Sequence, residues 1–388
     1  MAEPLRLRGR LASQPAPVDV VLRDGRLERV DPASGPARGA LGGDDCLVAE
    51  GFFDIQVNGF AGVDFNTPGL TPEALRRAML AMRRTGTTRF LVTVVTAALP
   101  AMEGAMRAVV HARQADPELA HAIPGIHLEG PFLAPEDGPR GAHPAAWIRD
   151  PDWEVFCRLQ EAGGGLIRLV TLAPERPGAE ALIRQLCQAG ITVAIGHTNA
   201  GEADLERAAA AGARLSTHLG NGAHAVLPRH RNYIQKQLAM DGLAASLICD
   251  GHHLPSYVVR NMLRCKGPGR VILVTDAMAA AAAAPGNYRL GEVLAEVGPD
   301  GYVRLPGTPY LAGSALTMER AVENCSRFAG LALEQTAAMA SRRPRELLGV
   351  PGGIAVGTPA DLVLLRPGPP LTVVATIANG QLVYSADG

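Results

Sequence analysis

The chain has 388 residues, 47% of them hydrophobic and 19% charged, which suffices for a large core and excludes a disordered polymer. Lys+Arg 37 against Asp+Glu 38 leave a formal net charge of -1, which removes the usual electrostatic reason for a nucleic-acid or anionic-membrane partner. No apolar run reaches the roughly 18 residues of a membrane span, MAEPLRLRGR has no signal-peptide core, and the cysteines form no CxxC pair. A cytoplasmic globular protein with reduced thiols is expected.

In chain order, the first fifty residues hold short alternating runs at Leu5–Leu11, Val18–Leu22, Leu27–Val30 and Cys46–Val48. Gly, Pro and Asp separate them, the pattern of β-hairpins. Buried-strand runs then recur at Phe52–Val57, Arg89–Thr96, Ile123–Leu128, Leu166–Leu172, Ile191–Ile195, Arg214–Thr217, Ala244–Cys249 and Val271–Thr275. Helical stretches lie between them. Thr71-Pro72-Glu73 is an N-cap, a first-turn proline and an early acid leading into Ala74–Arg84. Ala179–Ala189 and Ala203–Ala211 stop at Gly190 and Gly212. Eight strands alternating with helices predict a (β/α)₈ TIM-type barrel; a doubly wound sheet would call for an early GxGxxG, which is missing. The run Ala279–Ala284 before Pro285-Gly286 fits a helical turn or a mobile loop equally well. Hairpin patterning returns at Asp361–Leu365, Thr372–Ile377 and Gln381–Tyr384, with Asn379-Gly380 turning between the last two. The two β-rich ends predict a small β-sandwich domain from residues 1–50 and 352–388, flanking a catalytic barrel over 51–351.

Polar clusters close the strand runs: Gln56-Val57-Asn58, His127-Leu128-Glu129, Gly196-His197, Thr217-His218, Asp250-Gly251-His252-His253 and Asp276. A barrel places such positions around one rim, where its active sites lie. Singly, each has a plain reading. A histidine after a strand is commonly a hydrogen-bonded rim residue, Glu129 could favour a helix N-terminus, Asp250 could make a turn, and Asp276 could cap a helix. Jointly, one Glu and two His on neighbouring strands supply three N/O ligands and an open position, the composition of a catalytic divalent metal site. An Asp on the eighth strand then has work as a proton shuttle.

These residues carry a resemblance to the amidohydrolase superfamily and, within it, to the N-acetylglucosamine-6-phosphate deacetylases. Its motifs run from GFFDIQVNG (51–59), GIHLEGPFL (125–133) and RGAH (140–143) through AIGHTNA (194–200), STHLGNG (216–222), DGHH (250–253) and VTDAM (274–278) to LAGSALTM (311–318) and GIAVGTPADLVLL (353–365). Many amidohydrolases open with His-x-His and bind two metals. Here those positions are Gln56 and Asn58, so the second metal site is expected to be missing or weak. The resemblance implies one divalent ion per chain, held by Glu129, His197 and His218. Zn²⁺ is the first choice, with Fe²⁺ or another ion as alternatives. It also implies Asp276 as the catalytic acid and base of acetamide hydrolysis, releasing acetate and an amino sugar. Implied sugar contacts are Ala142, Asn221 and Gly222, with Asp250, Gly251, His252 and His253, and Leu311, Ala312 and Gly313 closing over them. The resemblance further implies a homodimer in which Arg229 binds the 6-phosphate, often across subunits. There the chain departs from its family: Arg229-His230-Arg231-Asn232 replaces REPG, and Gly220 stands where a larger side chain is usual. A mononuclear amidohydrolase of unphosphorylated N-acetyl sugars or N-acyl amino acids is the alternative enzyme. A non-catalytic binding barrel is the alternative class, although neither Asp276 nor any implied metal ligand has been lost.

Overall fold

The computed structural model describes residues 4–37, 39–308 and 310–386; residues 1–3 and 387–388 of the expected terminal domain lie outside the described residues. Eight strands form one sheet in chain order: Phe52–Val57, Thr87–Val95, Gly125–Glu129, Ile167–Leu172, Thr192–Ile195, Leu215–Ser216, Ala244–Ile248 and Val271–Val274. Every neighbouring pair is parallel. The first and last strands meet through a parallel bridge between Val57 and Ala277, and the Asn58 N–H donates to the Ala277 carbonyl at 2.7 Å. Asp54, fully buried, fastens the same seam: Oδ2 accepts from Thr275 Oγ1 at 2.5 Å and Oδ1 from the Thr275 N–H at 3.3 Å. The sheet therefore closes into a barrel.

Helices cover the barrel as the patterning requires. In Pro72–Arg83 the Thr71 hydroxyl accepts from the Ala74 N–H at 3.2 Å, and Leu75, Ala78, Met79 and Met82 turn one apolar stripe onto the strands. Helices Ala179–Gln188 and Glu202–Ala211 stop at the expected glycines. Phe53, Ile55, Leu91, Leu169 and Leu247, all on barrel strands, belong to one buried apolar cluster that gives the rim residues a packed support.

Both chain ends build a second, seven-stranded sheet. Its order is Gln381–Ser385, Thr372–Ala378, Leu362–Arg366, Leu41–Glu50, Leu5–Leu11, Gln14–Arg23 and Arg26–Pro32. Asp361 pins it to the barrel by accepting from Arg89 Nε at 2.7 Å and from His121 Nε2 at 2.8 Å.

One element has no counterpart in the sequence reading. After a buried turn at Ala279–Ala281, strands Gly286–Leu290, Val293–Val297 and Val303–Arg304 make a small antiparallel sheet beside the barrel mouth. Its hairpin turns at Gly291-Glu292, where Gly291 takes a φ of +57° that a side chain would resist.

Candidate active site

The strand ends bring the ionisable residues together, and three of them do so in strained backbone. His197, His218 and Asp276 have φ of +50°, +29° and +49°, in the left-handed region that non-glycine residues rarely adopt. Strain of this kind persists only where surrounding structure enforces it, and here it turns three polar side chains over the barrel.

Glu129 Oε1 lies 3.3 Å from His197 Nε2 and 3.0 Å from His218 Nε2, and the two imidazole nitrogens are 3.1 Å apart. A tetrahedral ion with ligands at about 2.0–2.1 Å has edges of about 3.3 Å, so these three donor atoms fit one divalent cation. His197 Nδ1 donates to the Pro139 carbonyl at 2.8 Å, which leaves the Nε2 lone pair for a ligand. Burial pushes the Glu129 carboxyl up, but the His197 and His218 imidazoles beside it outweigh that and hold it well below the usual range. His218 moves oppositely: burial disfavours its proton, yet Glu129 raises it above the ordinary histidine value. The cluster attracts positive charge, as a cation site must.

His143 was missed by the sequence reading, although it ends the RGAH motif. It is buried, its Nε2 is 3.3 Å from His197 Nε2, and its ligand atom groups with those of Glu129 and His197 within 4.8 Å. Burial, then the neighbouring His197, lowers its pKa to about 3, so it enters the site as a neutral imidazole. It sits on a loop and marks no strand end, so strand-end reading passed over it.

The two amides at the end of the first strand act as donors. Gln56 Nε2 donates to Glu129 Oε1 at 3.0 Å, and Asn58 Nδ2 to Asp276 Oδ1 at 2.7 Å. Burial and then the charge of Glu129 raise the Asp276 pKa to about 6, while Asn58 opposes the rise. A carboxyl poised there can take and return a proton near neutral pH.

A cavity of about 500 Å³ opens above the cluster. Of the expected residues, Glu129, His197, His218 and Asp276 line it, together with Ala142, Asn221, Gly222, His252, His253, Leu311 and Gly313. Asp250, Gly251, Ala312 and Arg229 do not line it. Asp250 supports the site from behind: Oδ1 accepts the N–H groups of His252 and His253, each at 2.8 Å, and Oδ2 accepts His253 Nδ1 at 2.6 Å. Arg229, His230 and Arg231 are exposed. Among the described residues no helix is long and apolar enough to cross a membrane.

Residues 47–383 match the Amidohydrolase family. The chain is 34% identical to an N-acetylglucosamine-6-phosphate deacetylase of Bacillus subtilis, over 88% of this chain and 85% of that protein. It is 36% identical to an N-acetylgalactosamine-6-phosphate deacetylase of a Shewanella species, over 88% and 84%. Among solved structures, a mutant N-acetyl-D-glucosamine-6-phosphate deacetylase from Mycobacterium smegmatis, in complex with N-acetyl-D-glucosamine-6-phosphate, superposes with a TM-score of 0.88. The identity is 31%, and 99% of this chain and 100% of that one are covered.

Proposed function

The chain belongs to the amidohydrolase family, and we propose that it hydrolyses the acetamide of N-acetylglucosamine 6-phosphate to acetate and the amino sugar. The observation that carries this reading is the convergence of Glu129 Oε1, His197 Nε2 and His218 Nε2 in a cavity that also holds Asp276. Glu129, His197 and His218 would hold one divalent ion, zinc in the first instance. When bound, that ion supplies Lewis acidity toward the acetyl carbonyl and the attacking water.

The chain's own residues then move the proton. Asn58 occupies Asp276 Oδ1, so Oδ2 accepts a proton from water as its oxygen attacks the acetyl carbon. Asp276 returns that proton to the amine nitrogen as the C–N bond breaks, since an unprotonated amine leaves poorly. His253, oriented by Asp250, offers Nε2 to the substrate carbonyl or a sugar hydroxyl. Ala142, Asn221, Gly222, Leu311 and Gly313 shape the walls around the sugar. Residues 51–351 form the catalytic unit in this reading, and the terminal sheet supports it. Cytoplasmic residence is part of the same proposal, supported by six cysteines that are all free thiols.

A homodimer supplying Arg229 to the neighbouring site is supported by that residue's exposure on a loop with Val226, which is 87% exposed. A relative that is an N-acetylgalactosamine-6-phosphate deacetylase makes the C4 epimer the second substrate to test. Acetate release from N-acetylglucosamine and N-acetylgalactosamine, each with and without the 6-phosphate, tests the assignment on metal-loaded enzyme. The 6-phosphate of the gluco sugar should give the highest kcat/KM, and no acetate from any of the four would overturn it.

A further inference from the structure

His127 lies two residues before Glu129, on the same barrel strand and the same face, and no step of the chemistry above uses it. It is buried at the centre of a polar layer beneath the donor cluster. His127 Nδ1 is 3.3 Å from Thr93 Oγ1, and His127 Nε2 is 2.8 Å from Thr171 Oγ1. Thr93 Oγ1 in turn accepts the Val57 N–H at 2.9 Å, and Thr171 Oγ1 meets Thr217 Oγ1 at 2.8 Å. The three threonines are buried as well. One unbroken run of hydrogen bonds thus crosses the barrel, from the end of its first strand to the end of its sixth.

That run adjoins the site at every point. Val57 sits between Gln56, which donates to Glu129, and Asn58, which donates to Asp276. Thr217 directly precedes His218. Gly196, which precedes His197, is wedged against two of the threonines: an added Cβ would stand 2.7 Å from Thr171 Cγ2 and 2.8 Å from Thr217 Cβ. Each of the three donors therefore has a neighbour, one or two residues away, that belongs to the layer or packs on it.

Stability does not account for such a layer. Barrel interiors are ordinarily filled by branched apolar side chains, and replacing both partners of a buried hydrogen bond by apolar groups of like shape costs little. Hydrogen bonds add direction and length. A satisfied buried network holds one arrangement, whereas apolar contacts can slide. A neutral imidazole, the form burial favours, donates once and accepts once, which suits hydroxyl partners on both sides.

We propose that His127 is a positioning residue whose hydrogen-bonded layer sets the spacing of Glu129, His197 and His218. The inference rests on the metal-site reading above and deepens it by placing control of ligand spacing inside the barrel.

The test measures the Zn²⁺ Kd by chelator competition, the absorption spectrum of the Co²⁺-loaded protein and the melting temperature of the metal-free protein. The proteins are wild type, His127→Leu, Thr171→Val, Thr171→Ser and Glu129→Gln. Thr171→Val removes one hydroxyl with almost no change of shape, and Thr171→Ser keeps it. Removing a support behind metal ligands costs about 10- to 100-fold in affinity. His127→Leu and Thr171→Val should raise the Kd by that factor and shift the Co²⁺ bands, and Thr171→Ser should restore both. Should His127→Leu fail to fold, the Thr171 pair decides alone. A merely structural layer would lower the metal-free melting temperature and leave Kd and spectrum as in wild type, which overturns the proposal and leaves the metal site standing. Equal weakening in Thr171→Val and Thr171→Ser also overturns it, because the hydroxyl is then not what matters. If wild type binds Zn²⁺ no more tightly than Glu129→Gln, the metal-site reading and this proposal fall together.

Discussion

Asn58 and Asp276 follow the two strands that close the barrel, and the Asn58 side chain donates to Asp276 Oδ1 at 2.7 Å across that seam. The contact ties the geometry of the proton carrier to closure of the sheet. Asp276→Asn keeps the shape and removes the exchangeable proton, so kcat should fall by on the order of 10² to 10⁴ with metal content intact. Asn58→Ala leaves Asp276 in place but loose. Losing a hydrogen bond to a charged group, about 1.5–3 kcal/mol, predicts a drop of about 10- to 150-fold in kcat/KM. Steady-state kinetics beside elemental analysis checks both.

Glu129 contributes the only carboxylate of the donor cluster, so Glu129→Gln should weaken the metal site without emptying the cavity. Elemental analysis of protein purified without chelator should give about one divalent ion per wild-type chain and far less for the variant. Free metal at 100 times its Kd stabilises a native protein by about 2.7 kcal/mol. Chelator should therefore lower the wild-type melting temperature and leave that of Glu129→Gln nearly unmoved. A stoichiometry of two would contradict the donor roles of Gln56 and Asn58.

Gly222 packs against a ligand. With φ of +55°, an added Cβ would stand 2.6 Å from His197 Nδ1, inside any tolerable contact, and would collide with the side that meets the Pro139 carbonyl. Gly222→Ala should displace the imidazole and lower metal content and turnover together. Thermal unfolding of the two metal-free proteins should differ only by the local cost of a side chain at positive φ, about 1–2 kcal/mol.

Asp361 governs acid stability. Burial alone would raise its pKa, but His121 and Arg89 hold it far below the usual carboxylate range. A depressed folded pKa contributes stability that is complete above the unfolded value of about 3.9 and is lost as pH falls below it. Asp361→Asn should cost about 3 kcal/mol near neutral pH, since Arg89 loses its charged partner, and should flatten the loss of stability below about pH 4. Urea unfolding midpoints between pH 3 and pH 7 measure both effects.

The barrel could be read from the sequence because its strands are buried on both faces and appear as short apolar runs. Six of the eight end in polar clusters that packing alone does not demand. His197, His218 and Asp276 were found that way. The inserted sheet is hard to read because its strands are pieces of five residues or fewer, mostly exposed, behind an alanine run with no period of its own. His143 and the cavity-lining residues of the inserted sheet belong to such connecting segments. Their proximity to the site comes from tertiary packing, which leaves no local periodicity to read.

The terminal sheet also orders events in time. Strand Leu41–Glu50 pairs on one side with Leu5–Leu11 and on the other with Leu362–Arg366, so its second partner is made more than three hundred residues later. During synthesis that edge stays open while the whole barrel is being made, and an open edge invites pairing with other chains. Arg89 and His121 likewise wait for Asp361, so the ADLVLL segment is the clasp that ends this exposure. A nascent chain stopped before residue 361 would hold every metal ligand and still present an unpaired strand to its neighbours.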